Sequence, residues 1–225
     1  MSTLHAVALT ATAAILTGAV VGYAIATSRL RRLRRSLRRA EHRLTHDPLT
    51  GLGNRSALSQ HVADRDPAGP VVFALLNLDD FAAINEQVGY RGGDELLVLL
   101  AGGLRHRAEN SGGAAFRLGR DEFAFVLPEQ SSTAQALAAQ LLAVVTEPVE
   151  LLAGRSPTTV AVRASVGLVT AGPYRGLSVS VLLRRADRAL QHAKRHHRGH
   201  ACVWTPDLAA APMPRRRDRA HPTTT

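Results

Sequence analysis

The chain has 225 residues, 45% of them hydrophobic, and a formal net charge of +10, which leaves room for one domain of ordinary size with extensions and enough apolar material for a real core. A single cysteine, Cys202, excludes an internal disulfide and a cysteine-rich metal site, in keeping with a cytoplasmic catalytic part. Of the net charge, +7 falls in residues 1–44 and +2 in residues 205–225, leaving about +1 for residues 45–204, so the folded part is no basic surface and nucleic acid is not an expected partner.

From Leu4 to Thr27 the chain carries no ionised side chain. At about 1.5 Å per residue, such a helix spans the roughly 30 Å hydrocarbon core of a bilayer. A cleaved signal peptide would use Ala24-Ile25-Ala26, but residues 1–7 carry no positive side chain, whereas seven arginines between Arg29 and Arg39 come directly after the apolar run. The segment therefore reads as a retained anchor in the inner (cytoplasmic) membrane, single-pass, with the C-terminal remainder of the chain in the cytoplasm. Leu30, Leu33, Leu37, Ala40 and Leu44 are spaced as an a/d seam with arginines on the other faces; a parallel homodimeric stalk is expected, held together by the anchor. The same arginines would also suit a single helix lying on anionic lipid.

The globular part opens with turn formers around Leu49 and Leu52, then a helix over 56–65. Residues 71–78 are an apolar run long enough for a central strand buried on both faces, ending in Asn77-Leu78-Asp79-Asp80-Phe81. A helix with Phe81, Ile84 and Val88 on one stripe is expected to break over 89–93, and a second to begin near Asp94 with a leucine-rich buried face. Asp94 would sit in its first turn, where a carboxylate can also serve as a cap. Residues 116–127 read as a hairpin whose turn carries the adjacent carboxylates Asp121 and Glu122. Such neighbours repel, and are more comfortable beneath a cation or a set of donors. A helix over 131–145, strands over 149–152 and 158–170, a helix over 181–196 and a strand over 201–204 complete an α+β domain with a mostly antiparallel sheet flanked by helices. Residues 205–225 lack periodicity and read as a disordered tail.

Several of these stretches together resemble one family, the GGDEF domain of diguanylate cyclases, which joins two GTP molecules into cyclic di-GMP. Asp47-Pro48-Leu49-Thr50-Gly51-Leu52-Gly53-Asn54-Arg55 resembles its opening D-x-L-T-G-L-x-N-R. Asn77 to Phe81, Asn85, Gly89 and Gly93-Asp94 resemble D-x-D-x-F-K-x-x-N-D-x-x-G-H-x-x-G-D, and Arg117 to Phe123 stands where R-x-G-G-D-E-F belongs. Ser165-Val166-Gly167 and the run from Ala186 through Lys194 to Arg198 resemble the closing motifs. The resemblance covers residues 45–204, making 1–28 the anchor, 29–44 the stalk, 45–204 a nucleotidyl-cyclase-like GGDEF domain and 205–225 the tail.

The resemblance implies roles. Asn85 and Asp94 would read the guanine edge, with Phe81, Gly119 and Arg120 also against the substrate. Asp121 would ligate Mg²⁺ or Mn²⁺ together with position 77, and Glu122 would lie beside the attacking 3′-hydroxyl. Lys194 and Arg198 would hold the triphosphate. Two domains, each with one GTP, would form the active site between them.

Three departures gather at one end of that site. Asn77 keeps an oxygen but lacks the charge of the metal-binding aspartate. Arg120 replaces the signature's second glycine, where small size and freedom in φ let the backbone approach the nucleotide. Ala82 replaces a phosphate-reaching lysine. The expectation is a degenerate member with GTP binding retained, turnover weak or absent, and metal bound weakly if at all. The alternatives are a weak but working cyclase, in which Arg120 supplies phosphate-binding charge, and a nucleotide-free docking domain. Asn110-Ser111-Gly112-Gly113 stands where the family's R-x-x-D product-inhibition motif would be and carries neither charge, so feedback binding of cyclic di-GMP there is not expected.

Overall fold

In the computed structural model the chain divides into two units, Met1–Leu44 and Thr45–Thr225. The structure describes residues 23, 27–33, 42, 44–65, 69–129, 133–153, 156–172 and 177–210. In the first unit residues 27–33 are helical, and Leu30 and Leu33 are exposed. Leu37 and Ala40 of the expected seam, and the apolar segment 4–27 apart from Tyr23 and Thr27, lie outside the described residues. Among the described residues no helix is long and apolar enough to cross a membrane.

The second unit runs α1 (Arg55–Asp64), β1 (Val71–Leu78), α2 (Phe81–Asn110), β2 (Ala114–Arg117), β3 (Glu122–Pro128), α3 (Ala134–Thr146), β4 (Val149–Ala153), β5 (Ser156–Val160), β6 (Ala164–Ala171), α4 (Val179–His196), β7 (Ala201–Val203) and α5 (Pro206–Ala210). Five strands form a sheet in the order β2-β3-β1-β6-β7, antiparallel except for the parallel β6–β7 pair, and β4–β5 is a separate hairpin. The fold is thus α+β with a mixed, mostly antiparallel sheet.

β1 is central, and its unbroken apolar run has a direct cause: successive side chains point to opposite faces, and both faces are covered. Val72, Ala74, Leu76 and Leu78 join the core formed with α2 and α3, while Val71, Phe73 and Leu75 join the one formed with α1 and α4. Asn77 continues the odd-numbered set and so falls on the α4 face. α4 lies very close to the sheet there. A Cβ on Gly167 of β6 would collide with the Ala186 carbonyl and the Leu190 amide and sit 2.9 Å from Leu190 Cα. Only glycine lets α4 come near enough for its last turn to reach the end of β1.

Three expectations need correction. The break expected over 89–93 is a kink at Gly89 alone (φ 76°, ψ 165°), a conformation that glycine adopts at no steric cost. The helix resumes at once, so Asp94 falls in its second turn and caps nothing. The strand expected over 158–170 is two strands in different sheets, interrupted at 161–163. The expected tail begins with the short helix α5, and 211–225 lie outside the described residues.

Candidate functional site

The end of β1, the β2–β3 turn and the last turn of α4 converge. Asn77 stands directly across from Glu122 on β3 and from Ser165 on β6. The Leu78 amide donates to the Asp121 carbonyl at 3.0 Å, which joins the acidic turn to the end of β1. Next in the chain, Asp79 is buried although charged. Its carboxylate accepts from Ser165 Oγ at 2.9 and 3.1 Å and from the Gly199 amide at 3.0 Å, and Lys194 Nζ lies 3.5 Å away. Lys194 Nζ also donates to Asn77 Oδ1, and Arg198 pairs with Asp80. Asp80 is left-handed (φ 54°), a conformation aspartate tolerates better than most residues, and it turns the chain from β1 into α2.

The hairpin is braced from the opening motif. Arg117, 8% exposed, donates to Asp47 Oδ1 and to the Arg120 carbonyl, both at 2.8 Å. Asp47 also accepts from the Thr50 amide at 2.9 Å and the Thr50 hydroxyl at 2.7 Å. Burial would raise the Asp47 pKa, but the Thr50 hydrogen bonds and the Arg117 charge together hold it below its ordinary value. Glu122 goes the other way. Burial, then the neighbouring Asp187 carboxylate, push its pKa up, with Asp121 adding to the rise and Arg55 and Lys194 opposing it.

The turn corrects one expectation from sequence. Among the described residues, positive φ outside glycine is confined to Asp80, so Arg120 carries no backbone strain; its side chain is exposed and makes no hydrogen bond or ion pair with them. A Cβ on Gly119 would meet only Glu122, at 3.6 Å. Neither position demands glycine for the protein's own packing. Any cost of Arg120 is therefore steric and falls on a ligand.

Asn85 and Asp94 lie on either side of the Gly89 kink. A Cβ on Gly93 would collide with Asn85 Oδ1 and sit 3.0 Å from its Cγ, so glycine there makes room for the amide. Asp94 is exposed and lines an open cleft of about 690 Å³ with Leu49, Val88, Arg91 and Glu95. Phe81, expected against the substrate, is 5% exposed and packs in the core, where its ring tip approaches Gly93. The structure thus brings Asn77, Asp121, Glu122, Lys194 and Arg198 to one end and Asn85 with Asp94 to another. Asp79, Ser165 and Asp187 were not among the site residues expected from sequence. The Asp79-Asp80 pair closing a buried strand was the available signal for the first.

The donor set does not fit a divalent cation as it stands. Asp121 offers a carboxylate, but the oxygen of Asn77 is neutral and already accepts from an ammonium. Among the described residues no group of three or more His, Cys, Asp or Glu is placed to hold a metal ion.

Comparison with known proteins agrees with this picture of the fold. The family model described as "Diguanylate cyclase, GGDEF domain" matches residues 44–200. An uncharacterized protein of Mycobacterium tuberculosis is 34% identical over 171 residues, 74% of this chain and 26% of its own. The diguanylate cyclase TpbB of Pseudomonas aeruginosa is 34% identical over 165 residues, 70% of this chain and 37% of its own. This chain therefore spans about a quarter of the length of the first of these curated relatives. Among solved structures, the coiled coil and GGDEF domain of DgcB from Caulobacter crescentus in complex with c-di-GMP superposes with a TM-score of 0.68 at 27% identity, covering 80% of this chain and 96% of that one.

Proposed function

The chain belongs to the GGDEF family of cyclic di-GMP signalling proteins, and from that premise we propose that it binds GTP but turns it over slowly or not at all. The observation that carries this reading is the contact of Lys194 with Asn77. Where the family's metal-binding aspartate belongs, a neutral amide accepts from a cation, so the charge that would draw Mg²⁺ or Mn²⁺ is missing. Ala82 removes a further cation from the same end, and Arg120 fills ligand space beside it. At the other end Asn85, Asp94 and the cleft keep the acceptors and the space that a guanine needs. The test is incubation of the full-length protein with GTP and Mg²⁺ or Mn²⁺, reading bound nucleotide and product separately. Bound GTP without product is the expected outcome. Ready synthesis of cyclic di-GMP would refute the degenerate reading, and no bound nucleotide would favour a docking domain.

One observation favours the second reading, a working cyclase. Glu122 has a pKa raised by burial and by Asp187, which suits a group that must take up a proton. Turnover that disappears in Glu122→Gln would support it.

For the N-terminal unit the proposal is one membrane helix over residues 4–27 with the GGDEF domain cytoplasmic, supported by the arginines confined to its C-terminal side. A reporter fused after Trp204 should be cytoplasmic; a periplasmic one refutes the topology. Leu37→Asp should weaken crosslinking of the full-length protein in membranes if the leucine seam forms a dimer.

A further inference from the structure

We propose that Lys194 Nζ is the resident cation at the end of β1, so that Asn77 and the buried Asp79 are satisfied without a divalent metal. The inference rests on the reading of the site as one that binds GTP only for what it predicts about nucleotide.

The side chain of Asp79 is 1% exposed. Neutral donors, Ser165 Oγ and the Gly199 amide, saturate much of its hydrogen-bonding capacity. A full charge taken out of water still needs a counter-charge, and removing one partner of such a pair is costly. Lys194 supplies it at 3.5 Å. The same ammonium donates to Asn77 Oδ1, the oxygen that would face a metal. Lys194 is therefore held from two sides, by a buried carboxylate and by the amide two residues before it on β1.

Charge counting then decides what else can bind. With Asn at 77, Asn77, Asp79 and Lys194 sum to zero. A divalent ion against Asn77 Oδ1 would meet an ammonium, and displacing that ammonium would strand Asp79. With Asp at 77 the same trio would carry a net negative charge, on top of the Asp121 and Glu122 carboxylates that lie nearby in either case. An ammonium has three donors. One is directed at Asn77, and Asp79 is met as an ion pair at 3.5 Å, which leaves donor capacity for an oxygen of a bound phosphate.

Two measurements on the full-length protein test this. In the first, Mn²⁺ uptake is monitored by loss of the free-ion electron paramagnetic resonance signal, without nucleotide. The wild type should take up no ion that Asn77→Ala abolishes, and Lys194→Met should gain one Mn²⁺ per chain. Uptake by the wild type that Asn77→Ala removes, or no gain in a folded Lys194→Met, overturns the proposal. Should Lys194→Met fail to fold, Asn77→Asp, which keeps the buried pair, should show the gain instead, and its failure to do so counts against the proposal equally. In the second, equilibrium dialysis measures GTP binding in excess MgCl₂ and in excess EDTA. The two affinities should agree within about twofold, and a loss of about tenfold or more on chelation overturns the proposal. Absence of binding in both buffers refutes the GTP reading itself and leaves the Mn²⁺ titration to decide the cation.

Discussion

The two ends of the site differ in what already occupies their polar groups. At the end near the Gly89 kink, Asp94 is exposed on an open cleft and makes no hydrogen bond or ion pair among the described residues. At the β1 end the cations are engaged, Lys194 with Asn77 and Asp79, and Arg198 with Asp80. One end is open to a ligand, whereas the other has satisfied much of its charge internally. The contrast is what the proposed reading of GTP binding with little turnover rests on, because phosphoryl chemistry needs unneutralised positive charge beside the phosphates.

The largest effect should come from pushing α4 off the sheet, which breaks the contrast at its closed end. In Gly167→Ala the new Cβ meets backbone atoms of Ala186 and Leu190, which cannot give way as a flexible side chain would. Overpacking of this kind costs about 1–3 kcal/mol and should lower the melting temperature by about 2–12 °C. Because Lys194 lies in the last turn of α4, Mg²⁺ dependence should change as well. An unaltered melt would mean that the close approach of α4 is not what positions Lys194.

Removing Asp94 sharpens the comparison from the open end. Asp94→Ala should weaken GTP binding by about tenfold or more, the value of hydrogen bonds to a charged acceptor, and should lower the preference for GTP over ATP. Stability should hardly change, because the carboxylate is exposed and caps nothing. Equal GTP binding by the variant and the wild type would mean that the cleft does not read guanine, and would leave the docking reading.

The parts legible in the sequence are those with local causes. β1 could be read from a run too apolar for a one-sided strand, and the β2–β3 hairpin from two strand-type runs around polar turn residues. The kink in α2 could not be placed, because Gly92 and Gly93 look like helix breakers and are not. They are buried helical positions onto which Val88 and Asn85 fold back across the Gly89 corner, and a Cβ at either would collide with those side chains. The division of 158–170 into β5 and β6 was hidden because the alternation continues through 161–163. The Asp79 network was hidden for another reason: Ser165 and Gly199 are 86 and 120 residues away in the chain. At Arg120 the expected backbone cost is absent, since no positive φ is required there, and only the steric cost to a ligand remains.

That steric cost leads to a smaller, conditional effect. Arg120→Gly should leave folding stability within about 0.5 kcal/mol, as for an exposed side chain without partners, and should tighten GTP binding. Adding Asn77→Asp should bring metal dependence. If both bear on one phosphate cluster, the double variant should exceed the sum of the singles by about 0.5–3 kcal/mol in a cycle of binding and turnover measurements. Additivity would separate the two positions. A wild type that makes cyclic di-GMP readily, with Arg120→Gly slower, would make Arg120 a phosphate ligand and the site a working one.

The smallest effect should be on stability, at Glu122. Its pKa is raised on folding, chiefly by burial and next by Asp187, so the folded state holds this proton more tightly than the unfolded chain does. The stability it contributes is fully present below the unfolded pKa and is lost as pH rises through the folded value. At neutral pH the ionised carboxylate therefore weighs against the fold, and Glu122→Gln should raise the melting temperature slightly there while losing that advantage in acid. Asp47 supplies the internal contrast. Its pKa is lowered by the Thr50 and Arg117 contacts that outweigh burial, so its contribution is present above the unfolded pKa and is lost as pH falls through the folded value. Asp47→Asn should accordingly destabilise at neutral pH and converge on the wild type in acid. Melting curves of the two variants against pH should thus move in opposite directions at neutral pH. If both destabilise alike at pH 7, Glu122 is held by favourable contacts, and the β1 end is less crowded with negative charge than its geometry indicates.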